Sequence, residues 1–414
     1  MTDDTSSPDG SSSRKLTRRT LLAAGLTLGT TGCLRAQVES SPSAGGDRTV
    51  HSQSSETLTQ RAKQTQRGHP VALSTVWKAQ VSRGIPTISP DGKTVVVAGQ
   101  KGVTAIRSGD GTSQWQHQTG PVETRPATTS QRVYVPAADG TLYALNNTDG
   151  TLQWSFTGDR TLTTIPLIST EANRVVVGTG ESDGVTVGDS SNSEFKPTYL
   201  YGLTRAGEEV WTIETANGDP VSSTTLHNER LYLRTVNQLE AYDIESGTQI
   251  DWEPNLGDGI WDRPSDRPAY NTKRLHSDSA GLYVPTRDGV VSVSHAGDFR
   301  WHFQPFDSPT RFAYHDNTVI LGSRDNGVYA VDAGTGEQRW RTQLDDTVIA
   351  VEPHGETIWA VDRSETLTAL TMASGNPTLS ADLQRGYGVA AAAQGGGVIT
   401  TTAEQTIGNS VTYE

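Results

Sequence analysis

The chain has a single cysteine, Cys33, in 414 residues. It therefore forms no internal disulfide and no thiolate metal cluster. Lysine is also scarce. Seven of the 34 basic residues are lysine (positions 15, 63, 78, 93, 101, 196 and 273), and the rest are arginine. Acidic residues number 47, which sets the formal net charge at −13. That sign repels phosphate backbones and argues against nucleic acid as a partner. The apolar run from Leu21 to Leu28 is far short of the ~20 residues a bilayer-spanning helix needs. Neither G-x-S-x-G nor H-E-x-x-H occurs, and no phosphate-binding loop is present. The nine histidines (51, 69, 117, 227, 276, 295, 302, 315 and 354) include no i, i+4 pair of the kind that holds zinc on a helix. His295 and His302 lie near a turn and beside Trp301, and read as surface or packing residues.

What the chain does have is a repeat. Residues 139–154 read D-G-T-L-Y-A-L-N-N-T-D-G-T-L-Q-W. An alternating strand runs into an Asp-Gly turn at Asp149-Gly150, and a second strand ends on Trp154. Alternation of period two on both sides of such a turn is a hairpin signal. The unit returns at 101–115, 198–211, 237–252, 288–301 and 326–340, each time ending on tryptophan. Residues 366–379 keep the strand and Gly375 but put Leu379 in the tryptophan's place. Trp115, Trp154, Trp211, Trp252, Trp301 and Trp340 follow one another at intervals of 39, 57, 41, 49 and 39 residues. A period of about 40 residues carrying four short strands predicts the blade of a β-propeller.

The two ends of the repeat region set the number of blades. Residues 76–80, around Trp77, resemble the last strand of a blade with no hairpin partner before it. Residues 388–393, 397–402 and 407–413 read as three strands with no tryptophan strand after them. Together they make one blade, which closes the ring and removes its exposed edges. Strands of the tryptophan type at 77, 115, 154, 211, 252, 301, 340 and 379 predict eight four-stranded blades, with seven as the alternative count.

Repeats of the form D-G-x-L-Y-A-L/V-D-x-x-T-G-x-x-x-W resemble the pyrroloquinoline-quinone-type (PQQ-like) propeller repeat, over about residues 71–414. The resemblance implies one of two functions. The family includes quinoprotein alcohol dehydrogenases, and also non-enzymatic lipoproteins of the BamB type. The enzymes hold the quinone over a tryptophan platform, with a vicinal disulfide, a calcium ion on Glu and Asn side chains, and an Asp base. This chain has no cysteine pair and no recognisable calcium set, so it is read as a non-enzyme with neither PQQ nor calcium. Its repeat tryptophans, including Trp77, are assigned to packing between blades. The shortage of lysine beside an acidic excess and many threonines resembles proteins of high-salt organisms, haloarchaea in particular.

Ahead of the propeller, residues 1–33 read as an export signal. Thr17-Arg18-Arg19-Thr20-Leu21-Leu22 fits the twin-arginine pattern, carried by Arg18 and Arg19. Gly32-Cys33 after the apolar segment resembles a lipobox, which predicts Cys33 as a lipidated N-terminus. Residues 34–70, rich in Ser, Gln, Thr and Gly, read as a flexible stalk. Two insertions interrupt the repeat. Residues 178–197 carry Glu181, Asp183, Asp189 and Glu194, hard oxygen ligands whose spacing matches no EF-hand loop, so the segment reads as a solvated loop. Residues 259–270 carry Trp261, Arg263, Arg267 and Tyr270, the residue types favoured at interfaces, and are the predicted partner-binding loop. The resulting expectation is a monomeric, lipid-anchored propeller on the extracytoplasmic face of the cell membrane, binding a protein without catalysis. The alternative is a propeller that binds a small ligand or quinone in its central channel, with quinoprotein-like oxidoreductase activity as one form of it.

Overall fold

A computed structural model describes residues 70–80, 84–180, 197–215, 220–235, 238–257, 274–383, 386–391, 397–402 and 405–413. The export signal with Arg18 and Arg19, the lipidation site Cys33 and residues 34–69 of the stalk lie outside these residues. So do Glu181, Asp183, Asp189 and Glu194, and the predicted partner loop with Trp261, Arg263, Arg267 and Tyr270.

The described chain is all β, in eight antiparallel sheets of four strands. Blade 1 holds β2 (Gly84–Ile88), β3 (Thr94–Gly99), β4 (Gly102–Arg107) and β5 (Ser113–His117). Blade 2 holds β6 (Ala127–Thr128), β7 (Arg132–Pro136), β8 (Thr141–Asn146) and β9 (Leu152–Thr157). Blade 3 holds β10 (Leu167–Ser169), β11 (Arg174–Gly178), β12 (Tyr199–Thr204) and β13 (Glu209–Glu214). Blade 4 holds β14 (Ser223–His227), β15 (Arg230–Arg234), β16 (Leu239–Asp243) and the two-residue β17 (Gln249–Ile250). Blade 5 holds β18 (His276–Ser277), β19 (Leu282–Pro285), β20 (Val290–Val293) and β21 (Phe299–Phe303). Blade 6 holds β22 (Pro309–His315), β23 (Thr318–Ser323), β24 (Gly327–Asp332) and β25 (Gln338–Gln343). Blade 7 holds β26 (Val348–His354), β27 (Thr357–Asp362), β28 (Thr366–Thr371) and β29 (Pro377–Asp382). Blade 8 is the composite: β30 (Gly386–Ala391), β31 (Gly397–Thr402) and β32 (Thr406–Tyr413) take β1 (Pro70–Ala79) as their fourth strand. The eight-blade count and the closure by the N-terminal strand are both as the sequence predicts.

The buried apolar groups lie between blades rather than in one central core. Val96, Ala98 and Trp115 of blade 1 pack on Val133, Val135 and Leu145 of blade 2. Equivalent clusters join every successive pair, through to Trp77 and Ile399 of blade 8 against Val95, Val97 and Ile106 of blade 1. The second strand of a blade is therefore covered on both faces. That is why β3 (T-V-V-V-A-G) and β23 (T-V-I-L-G-S) are continuous apolar runs with almost every residue buried. The fourth strands lie at the rim and alternate instead, as in β5, where Trp115 is the buried residue.

Strand direction sorts the connections onto two faces. Turns from first to second and from third to fourth strands fall on one face, here the turn face. Links from second to third strands, and from each blade to the next, fall on the other, the linking face. The strands that flank both predicted insertions, β11 with β12 and β17 with β18, open onto the linking face.

Candidate functional site

The repeat tryptophans act as clasps between blades. The indole Nε1 of Trp115 donates to the carbonyl of Asn147 at 3.0 Å, and its ring lies over Gly150 in the same turn of the next blade. The pattern recurs from Trp77 to Ser108, Trp154 to Arg205, Trp211 to Ile244, Trp301 to Ala333 and Trp340 to Met372, at 2.8–3.0 Å. Gly150 has φ +70°, and a Cβ added there would stand 2.5 Å from Trp115 Cε3. The glycine thus serves two needs at once, a left-handed turn and a flat seat for the indole. These tryptophans form packing contacts between blades.

Two junctions depart from the pattern. Trp252 falls just beyond β17, and its buried Nε1 has no hydrogen-bond partner among the described residues. The equivalent carbonyl, that of His295, accepts from Arg230 Nη1 at 2.7 Å, as the Arg205 carbonyl accepts from Arg132 alongside Trp154. The other departure is Leu379. Blade 7 faces the composite blade, whose third and fourth strands, β32 and β1, come from distant parts of the chain. No turn joins them, so an indole at position 379 would have no glycine seat. Of the nine tryptophans, Trp359 alone among those described lies off the clasp position, fully buried on β27.

The first strands of the blades surround a central cavity of about 740 Å³. Arg125, Arg274, Arg311, His276, His315 and Glu352 project into it among threonine and serine hydroxyls. Arg125 of the stretch before β6 reaches across the channel toward Glu352 of β26, with Nη2 and Oε2 3.8 Å apart. Arg274 is accessible to solvent inside the channel yet has protein on every side. Burial, and then the neighbouring Arg125, pull its pKa down to about 9, against an opposing pull from Glu352. Burial likewise lowers Arg311 to about 10. Sequence reading missed this cluster. A signal was present in the near-identical strings Thr124-Arg125-Pro126-Ala127, which leads into β6, and Thr310-Arg311-Phe312-Ala313, within β22.

The lining fits a quinone–calcium pair poorly. Its aromatic side chains are Phe312, Tyr314 and the two histidines, with no tryptophan platform, and Glu352 is its carboxylate. No group of three or more His, Cys, Asp or Glu side chains able to hold a metal occurs among the described residues.

Two further groupings lie outside the channel's charged centre. On the turn face, the rings of His227 and His295 stack with centroids 3.9 Å apart. Tyr232 Oη is 2.8 Å from His295 Nδ1, and Tyr314 and Tyr283 hydroxyls donate to the Asp278 carboxylate. His295 is thus a partly buried packing residue, one of the two roles read from the sequence. On the linking face, Phe306 is 85 % exposed. The Arg341 guanidinium lies 5.2 Å from its ring and 5.4 Å from that of Tyr329, and pairs with Asp325 at 3.2 Å.

Ring closure, four-stranded blades and the indole clasps define the chain as a PQQ-like β-propeller. More narrowly, it belongs to the family described as outer membrane protein assembly factor BamB, which matches residues 71–259 and 286–407. BamB from Moraxella catarrhalis superposes with a TM-score of 0.61 at 16 % identity, over 83 % of this chain and 98 % of that one. A quinohaemoprotein alcohol dehydrogenase from Pseudomonas putida HK5 gives 0.64 at 11 % identity, over 83 % and 76 %. At these identities the likeness is one of fold. A stretch of 150 residues is 29 % identical to the serine/threonine-protein kinase AfsK of Streptomyces griseus, covering 33 % of this chain but 17 % of the kinase.

Proposed function

We propose that this protein is an exported, lipid-anchored propeller that holds a partner protein at its linking face without catalysing a reaction. Membership of the BamB family supports a binding role. The observation that carries the choice of face is Phe306, a large apolar ring left 85 % exposed and braced by Arg341. Aromatic residues, Phe among them, and arginine are enriched at protein interfaces. The strands flanking residues 258–273, which include Trp261 and Arg263, open onto the same face. Arg18, Arg19 and Cys33 supply the export and anchoring signals in this reading.

The test is affinity capture of the intact, membrane-bound protein, followed by identification of what co-purifies. One partner should be retained by the wild type and lost with Phe306→Ala or with Trp261→Ala plus Arg263→Ala. Retention of the same partner by both variants would place the interface elsewhere. Cys33→Ala should move the protein from the membrane to the soluble fraction. A second reading, small-ligand binding, is favoured by the arginines of the channel.

A further inference from the structure

We infer that the central cavity binds a small oxyanion with two or more negative charges, gripped by Arg125, Arg274 and Arg311. The chain carries a net charge of −13, yet the walls of its central cavity carry three guanidinium groups and one carboxylate. Such a reversal of sign within a low-dielectric ring focuses an attractive potential on anions. Glu352 does not discharge it. At 3.8 Å its carboxylate is beyond good hydrogen-bond range of Arg125, and a single negative charge is shared between two arginines.

Donors in the cavity wall are also under-used. Arg125 Nε and the neighbouring Thr124 Oγ1 are buried without a hydrogen-bond partner among the described residues. An oxyanion beside these arginines would supply the charge compensation that Glu352 gives only in part. The depressed pKa of Arg274 fits the same account, because protein surrounds a charge that no adjacent carboxylate fully compensates. At about 740 Å³ the cavity is in the range of small-ligand sites. Guanidinium forks and serine and threonine hydroxyls suit phosphate and carboxylate oxygens equally, so the shared oxyanion chemistry is what the site selects. This site is separate from the linking-face surface around Phe306, and neither proposal depends on the other.

The test is isothermal titration of the full chain with inorganic phosphate, pyrophosphate, citrate and acetate at constant ionic strength. Pyrophosphate or citrate should bind at one site, at least tenfold tighter than acetate. The preference between those two identifies phosphate or carboxylate as the source. Arg274→Gln should weaken binding tenfold or more, whereas Arg107→Gln at the exposed Arg107–Asp110 pair should leave it unchanged. Glu352→Gln should tighten binding severalfold, because it removes the competing carboxylate. A merely structural arginine cluster would not give that gain. Equal affinity for acetate, equal effects of Arg274→Gln and Arg107→Gln, or loss of binding with Glu352→Gln would each overturn the proposal. If Arg274→Gln does not fold, Glu352→Gln alone decides.

Discussion

Each clasp consists of an indole and a glycine from consecutive blades, and either can be altered alone. Gly150→Ala forces a Cβ to within 2.5 Å of the Trp115 ring at a backbone with φ +70°. The expected loss is more than ~1 kcal/mol of stability, read from the midpoint of urea unfolding. Gly109→Ala, in the preceding blade's turn, meets nothing within 4 Å and should be close to neutral. The residue scale also determines the acid limit of the fold. Burial, and then the stacked partner His295, depress the His227 pKa, and burial depresses His276 and His302. The unfolded chain therefore takes up these protons first, near pH 6.5. Stability should be full above that pH and fall as pH drops below it, until the folded histidines also protonate. Urea midpoints from pH 7.5 to 5 measure this, and His227→Gln should flatten part of the slope.

At the scale of elements, the junctions are built alike but are not equally strong. Six junctions carry the indole hydrogen bond, while the one between blades 4 and 5 lacks it. Blade 4 also has the shortest outer strand of the eight, the two residues of β17. Trp301→Phe should therefore cost about 1 kcal/mol more than Trp252→Phe, since only the former removes a bond to a buried carbonyl. Denaturant unfolding of the two variants gives the comparison. The repeat strings made the hairpins and the clasp residues legible from sequence, because their alternation and turn chemistry are local. The missing indole bond of Trp252 was not legible, since Trp252 and the turn that holds His295 meet only once the blades are packed.

Across the whole molecule, closure rests on β1 pairing with β32, which joins Pro70 to Tyr413 and Ala79 to Thr406. It also brings Trp77 onto the blade 1 turn, with Nε1 donating to the Ser108 carbonyl at 2.8 Å. A chain lacking residues 1–79 would leave β32 as an open edge and remove that clasp. It should lose the single cooperative unfolding transition and aggregate more readily than the intact protein. Calorimetry with light scattering tests this. Retention of one sharp transition would mean that the other seven junctions hold the ring without its closing strand.

Much of this architecture is determined locally. Period-two alternation, Asp-Gly and Ala-Gly turns and a tryptophan about every 40 residues specify the blade, and incomplete blades at the two ends specify a closed ring of eight. The residues gathered at the centre are a different matter. Arg125, Arg274, Arg311 and Glu352 belong to four different blades and share no local motif that joins all four. Only the curvature of the ring turns the first strands inward and brings distant charges to a common space. A repeat pattern reports how each blade is made, whereas the electrostatics of the channel arise from the sum of side chains that meet once the circle is complete.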